Sequence, residues 1–297
     1  MKITKEELSR RKEALYAILE ECNLCPRHCG VNRLKGEVGA CKTADKAVVS
    51  TYGAHFGEER PLVGTRGSGT VFFSWCNLRC IYCQNYEISH LGEGNPVTTD
   101  VLAFIFLSIK EGGCHNLNLV TPTHVIPFWV KALEIIEEET HFDIPIVYNC
   151  SGYEDVEVLR LLEGIVDIYM PDFKYWDEAT ARRLSGIKDY PEVAKRALKE
   201  MHRQVGDLVI DSDGVARQGL LVRHLVLPGG LAGTKEVVRF IAEEISKDTY
   251  INIMDQYRPC GPHELPAPLN RRITQAEYQE AIDAARGVGL WRIDGMF

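Results

Sequence analysis

Three cysteines spaced CxxxCxxC, Cys76, Cys80 and Cys83, stand at the end of the apolar run Val71-Phe72-Phe73-Ser74-Trp75. No other stretch constrains the chain as much, because a strand has to deliver a tight loop that carries three thiols. Three thiolates on one loop hold three irons of a [4Fe-4S] cluster, and with no fourth cysteine nearby one iron stays open to a non-protein ligand. An open metal position is a catalytic feature, just as a catalytic zinc keeps a vacancy that a structural zinc lacks. The competing readings of these residues are three buried structural cysteines, or a zinc loop completed by His90.

The chain around this loop is long enough, at 297 residues, for one sizeable core and a small appendage, and 45% hydrophobic with 26% charged residues is ordinary for a folded soluble protein. A formal charge of -8 and the lack of an extended basic run argue against nucleic acid as a partner. Met1 to Glu21 is too polar for a secretory signal, and the longest apolar run, Val101 to Leu107, is too short to span a bilayer. The expectation is a cytoplasmic protein with no membrane partner. Ten cysteines in such a chain point to metal binding or redox use rather than to a disulfide framework.

Four of those cysteines precede the loop. Thr4-Lys5-Glu6-Glu7 reads as a capping box, and Leu8, Leu15, Ile18 and Leu19 then recur at helical spacing to about Glu21. Cys22, Cys25 and Cys29 follow at once, then Gly30, Gly36 and Gly39, then Cys41. Loops this short bring four sulfurs together at small closure cost, so the group can close around zinc or a second iron-sulfur cluster. Thiolate chemistry alone does not choose between these metals. A metal-free thiol cluster is the alternative, and His28 in the same polar loop is expected to face solvent. The division expected is a helix and four-cysteine segment over residues 1–60, then a main unit over 61–297. Gly64 to Gly69 precedes a strand instead of following one, so it reads as a turn and not as a dinucleotide loop.

From residue 71 strands and helices alternate. Strands are expected at 71–73, 117–120, 144–148, 166–170, 220–227 and 250–254, with helices near 100–111, 126–139, 155–163, 235–246 and 274–286. Helical stretches reach Val205, and Asp211 to Gly214 marks a small hairpin before the fifth strand. Repeating units of this length imply an α/β fold whose parallel sheet is buried on both faces. Arg223 and His224 are adjacent in the fifth strand, so at most one of them faces inward. Cys114, Cys150 and Cys260 have no partner at metal spacing and read as shielded thiols.

CxxxCxxC with Tyr82 just before its last cysteine resembles the signature of the radical S-adenosylmethionine (radical SAM) superfamily. That resemblance implies a partial (β/α)6 barrel rather than a doubly wound sheet, with a small Cys-rich N-terminal segment. It also implies that the amino and carboxylate groups of S-adenosylmethionine chelate the open iron, and that reductive cleavage yields a 5'-deoxyadenosyl radical. Asp172 and Lys174 resemble the Asp-x-Lys element of glycyl-radical activating enzymes, in which the lysine faces the cofactor carboxylate. Tyr82, Thr121, Thr123, Asn149 and Ser151 are the further cofactor-binding candidates, at or near strand ends where such folds collect function. Thr121-Pro122-Thr123-His124 departs from the usual Gly-Gly-Glu-like segment. For Asn149, Ser151 and Asp172 ordinary turn chemistry is the alternative.

With its N-terminal CxxCPxxC, nearly the whole chain is similar to homologues of pyruvate formate-lyase activating enzyme. It differs in placing extra cysteines before the radical motif and in carrying Trp75 where glycine often stands. The resemblance implies hydrogen abstraction from a substrate, a glycyl residue of a partner protein being one class, with an external one-electron donor such as flavodoxin or ferredoxin. The second function class is a non-catalytic iron-sulfur carrier or metal-stabilised interaction protein. The residues single out no catalytic side chain.

Overall fold

The computed structural model of the protein describes residues 1–261 and 264–295. Helix α1 (Lys5–Ala17) starts where the Thr4 hydroxyl accepts the Glu7 N–H. After the cysteine-rich loops come β1 (Ala47–His55), the short α2 (Arg60–Val63), β2 (Ser68–Phe73) and β3 (Asn95–Val97). Helix α3 (Thr99–Glu111), β4 (Leu117–Val120), α4 (Ile126–Glu139), β5 (Ile146–Cys150), α5 (Val156–Leu161) and β6 (Ile168–Pro171) follow in alternation. The rest comprises α6 (Glu178–Ser185), α7 (Tyr190–Val205), β7 (Val209–Ile210), β8 (Ala216–Leu225), α8 (Thr234–Phe240), β9 (Tyr250–Met254) and α9 (Gln275–Gly287).

Strands β2, β4, β5, β6, β8 and β9 pair parallel in chain order. A doubly wound sheet reverses its order at a switch point. This sheet does not, so it has the six-unit sequential order expected from the resemblance. Among the described residues no pairing joins β9 back to β2, and the arrangement is open. Every residue of β5 and β6 is buried, as a sheet covered by helices on both faces requires. The covering is close: a Cβ added at Gly69 in β2 would collide with Ile109 of α3 and the Asn116 carbonyl. The hairpin at Asp211 pairs β7 with β8, and its carboxylate accepts the N–H groups of Asp213 and Val215.

Two features differ from the sequence expectation. Strand β1 pairs antiparallel with β2, and β3 pairs with β1, so residues 47–55 belong to the main sheet and not to the cysteine segment. With Gly53 and no clear polar alternation, β1 lies between β3 and β2 and acquires its conformation from that pairing rather than from its own pattern. The cysteine segment is also no separate unit, because Leu8, Leu15, Leu19, Cys22 and Leu24 lie in the same hydrophobic core as the barrel helices. Tyr16 meets Phe128 of α4 edge to face, with ring centroids 6.0 Å apart. No helix of the described residues is long and apolar enough to cross a membrane.

Candidate active site

The C-terminal ends of the parallel strands and the Cys76–Cys83 loop surround one cleft with about 1480 Å³ of empty space. Ligand sites on such folds lie at this end of the strands. Cys76, Cys80 and Cys83 stand in its wall, and Thr121 after β4, Asn149 and Ser151 at the end of β5, and Asp172 and Lys174 after β6 line it too.

The loop holds an unfavourable backbone in place. Trp75 and Arg79 have φ of 71° and 61°, in the left-handed region that disfavours side chains, and Thr121 across the cleft has 59°. Such conformations persist only when their surroundings over-determine them. Here Trp75 N–H donates to the Ile88 carbonyl at 2.9 Å and Ile81 N–H to that of Leu184 at 2.9 Å. Arg27 from the N-terminal segment donates to the carbonyls of Asn77 and Leu78, at 2.5 and 3.2 Å, and the Asn77 amide donates to the Tyr153 carbonyl at 2.9 Å.

Each thiol of the loop also receives a donor. The Leu78 N–H points at Cys76 Sγ at 3.3 Å, Ser185 Oγ lies 3.1 Å from Cys80 Sγ, and Ser89 Oγ lies 3.2 Å from Cys83 Sγ. Behind Ser185 a row of hydroxyls runs through Tyr175 at 2.9 Å to Tyr82 a further 2.6 Å on. With the Ser185 proton directed at sulfur, Tyr175 donates to Ser185 and Tyr82 to Tyr175. Burial pushes the Cys76 thiol up to about 12, against the pull of the Arg79 and Leu78 amides. Ionising it needs a cation, which is what a bound metal supplies. His90 does not complete a zinc loop: it stacks on Tyr86 at 4.4 Å and bonds Ser89. Among the described residues no three His, Cys, Asp or Glu side chains are arranged to hold a single metal ion.

Facing the cysteines, Lys174 Nζ donates to Asp172 Oδ2 at 2.6 Å and Arg223 Nε to Asp172 Oδ1 at 2.9 Å. Arg223 also donates to Asn149 Oδ1 at 2.7 Å and lies 3.7 Å from Glu58. Burial alone would raise the Asp172 carboxyl, yet Arg223 and Lys174 hold it below its ordinary value. The same pairing keeps Lys174 charged against its burial. Glu58 balances the second cation, so the group presents unspent donors rather than net charge. Arg223 was not separable from His224 in the sequence. The pleat sends Arg223 into the cleft, while His224 turns into the core between the Phe173 carbonyl and Thr234.

Thr123 is not in the cleft wall, contrary to expectation. It is buried, and its hydroxyl donates to Glu154 at 2.8 Å. The polypeptide turns inward after the strained Thr121, which separates two hydroxyls only two residues apart. Cys150 does line the cleft, and its thiol is buried.

Cys22, Cys25, Cys29 and Cys41 line a second, smaller cavity between the N-terminal loops and the back of the Cys76 loop, with Asn77 in its wall. His28 is half exposed and pairs with Asp155 at 3.1 Å, as its polar loop suggests.

Residues 70–212 match the model of the radical SAM superfamily. Over 292 residues the chain is 31% identical to the uncharacterized protein MJ0674 of Methanocaldococcus jannaschii, a match covering 95% of this chain and 79% of that one. A second uncharacterized protein of that organism, MJ0808, is 24% identical over 51% of this chain and 50% of its own. Among solved structures, a radical SAM methyltransferase from Sphaerobacter thermophilus superimposes with a TM-score of 0.50 at 14% identity. That match covers 75% of this chain and 64% of the methyltransferase, less than two thirds of its length, and is a likeness of fold alone.

Proposed function

The chain belongs to the radical SAM superfamily, and from that premise we propose that it is an enzyme of the oxidoreductase kind that cleaves S-adenosylmethionine reductively in the strand-end cleft. The observation that carries this reading is the opposition of three hydrogen-bonded thiols, Cys76, Cys80 and Cys83, to the Lys174–Asp172–Arg223 group across one cleft. The thiols fit a [4Fe-4S] cluster, since each has the donor that a thiolate ligand calls for. When bound, cluster and cofactor supply one-electron cleavage of the sulfonium and a radical able to take a hydrogen atom from substrate.

The chain's own residues bind and orient. Lys174 uses one of its three donors on Asp172 and offers the others to the cofactor carboxylate. Asp172 has one bond at each oxygen, so it positions the two cations and keeps a second lone pair on each oxygen for a ligand. Asn149 gives its carbonyl to Arg223 and keeps its amide N–H groups for a ligand, Ser151 keeps its hydroxyl proton, and Thr121 offers an acceptor for the cofactor ammonium. Tyr82 lines the cleft with its ring and supports Cys80 through the hydroxyls of Tyr175 and Ser185.

A non-catalytic electron carrier has no need for a cleft lined with unspent donors, which favours the enzyme over that alternative. The substrate reaches the open side of the cleft, and a glycyl residue of a partner protein is the class that the likeness to activating enzymes favours. A flavodoxin or ferredoxin supplies the electron. Cys22, Cys25, Cys29 and Cys41 hold a second metal, zinc or iron-sulfur. The test is anaerobic reconstitution with reductant and S-adenosylmethionine, followed by product analysis. We expect 5'-deoxyadenosine and methionine from the wild type and neither from Cys80→Ala. A cluster-loaded wild type that makes no 5'-deoxyadenosine would sink the reading.

A further inference from the structure

Arg33 sits in the wall of the four-cysteine cavity and is only 1% exposed. Its Nε donates to the Ala44 carbonyl at 3.0 Å, and its guanidinium carbon lies 5.6 Å from the Phe128 ring centre. Nη1 and Nη2 are buried and have no hydrogen-bond partner among the described residues, and no carboxylate pairs with the group there. A guanidinium keeps its proton at any ordinary pH. A buried cation with two unserved nitrogens is unfavourable unless an anion lies beside it.

The cavity wall contains no carboxylate to be that anion. It has two guanidinium groups, Arg27 and Arg33, the imidazoles of His28 and His124, and the four thiols. Negative charge can come from within this wall only if the thiols ionise, and thiols ionise together when they ligate a metal. Four thiolates around a dipositive core make a net dianion, which two guanidinium groups balance. The backbone is shaped for close approach: a Cβ at Gly39 would stand 2.8 Å from Cys29 Sγ, and the Ala40 N–H points at that sulfur at 3.5 Å.

We propose that Cys22, Cys25, Cys29 and Cys41 hold an anionic metal-thiolate centre whose buried counter-cation is Arg33. On binding, four S–H protons leave to solvent and four sulfur-metal bonds form, with no change of oxidation state in the protein. Arg27, in the wall of this cavity, donates to the Asn77 and Leu78 carbonyls, so the centre braces the loop that carries Cys76 and Cys80. This deepens the second-metal reading above by assigning its charge and its partner residue.

The experiment uses the full chain with Cys76, Cys80 and Cys83 all changed to Ala, so that metal at the cleft, and any failure of the cleft reading, cannot affect the result. It is prepared anaerobically with iron, sulfide and zinc, desalted, and analysed for metal and labile sulfide. About four irons with as many sulfides per chain is expected, since the side chains are not arranged around a single ion, and about one zinc, bound once the four thiolates close on it, supports the centre as well. A folded chain with no metal, in which Cys22, Cys25, Cys29 and Cys41 all react as free thiols, overturns it. In the same background Arg33→Met is expected to lose metal to a chelator at least about tenfold faster, and Arg33→Lys to recover most of the retention. Cys29→Ser, altering the most exposed of the four, is expected to lose metal in a chain that still folds. Equal metal retention by the Met and wild-type residues at 33 overturns the role of Arg33, as does a Lys variant no better than Met.

Discussion

Ser185, the last residue of α6, places its hydroxyl 3.1 Å from the sulfur of Cys80. The contact joins residues 105 positions apart, and it gives the central cysteine of the loop a donor from a helix. A donor to a metal-bound thiolate stabilises the more negative, reduced state, and such bonds are among the determinants of iron-sulfur potentials. Ser185→Ala is therefore expected to lower the midpoint potential of the cleft cluster while leaving its iron content unchanged. An anaerobic redox titration followed by electron paramagnetic resonance measures it, and an unaltered potential would remove Ser185 from the cluster's surroundings.

Cys150 is the one further cysteine lining the cleft among the described residues, and it is buried. If the open iron is served by the cofactor rather than by protein, Cys150→Ser retains the iron and sulfide of the wild type and still produces 5'-deoxyadenosine. Loss of cluster in that variant, with the fold intact by circular dichroism, would make Cys150 a fourth ligand and contradict the proposal.

Lys174 and Arg223 share one carboxylate but differ in what else they hold. Lys174→Met leaves Asp172 paired with Arg223, so the loss falls on ligand binding. Truncating one partner of a desolvated charge pair costs about 2–5 kcal/mol, or roughly thirtyfold to several-thousandfold in S-adenosylmethionine affinity, with normal cluster content. Arg223→Met also strips partners from Asp172, Asn149 and Glu58, and breaking such a buried pair costs about 3–5 kcal/mol of folding stability. Calorimetric binding and urea unfolding separate the two effects. Equal stability of the two variants would contradict this division.

Glu154 is buried with Thr123 at one oxygen and Tyr148 at the other, and burial pushes its carboxyl up from 4.5 to about 7 despite these donors. Between those values the folded chain holds a proton that the unfolded chain has released. Its contribution to stability is therefore full below about pH 4.5 and is lost as pH rises to about 7. The change amounts to about 3 kcal/mol across that window. Glu154→Gln cannot titrate, so its stability relative to wild type should improve with rising pH across the same interval. Parallel urea curves with a constant difference at every pH would show that Glu154 titrates normally.

The strand-helix alternation and the cysteine loop were legible in the sequence because both are local. Apolar runs bounded by turn residues reported β4, β6 and β9 almost to their ends, and the Asp211 turn reported its hairpin. Strand β1 was not legible, since a strand with polar and glycine positions takes its conformation from the neighbours it pairs with. Thr121 and Thr123 looked equivalent in sequence. A backbone with φ of 59° at the first sent the second into the core.

The sequence by itself determined that three thiols share one short loop, that four more crowd the N-terminal segment, and that Asp172 and Lys174 lie two residues apart after a strand. These follow from spacing, which covalent geometry translates directly into proximity. Only the tertiary structure decided what faces those groups: Ser185 and Ser89 on the sulfurs, Arg223 on Asp172, Arg27 on the loop carbonyls and Arg33 beside the four-cysteine cavity. Serines and arginines occur on most helices and strands without marking a site, and their positions here depend on the parallel pairing of β6 with β8 and on the docking of the N-terminal segment against the core. A donor acquires its role from the acceptor that folding brings to it, and that acceptor can lie a hundred residues away.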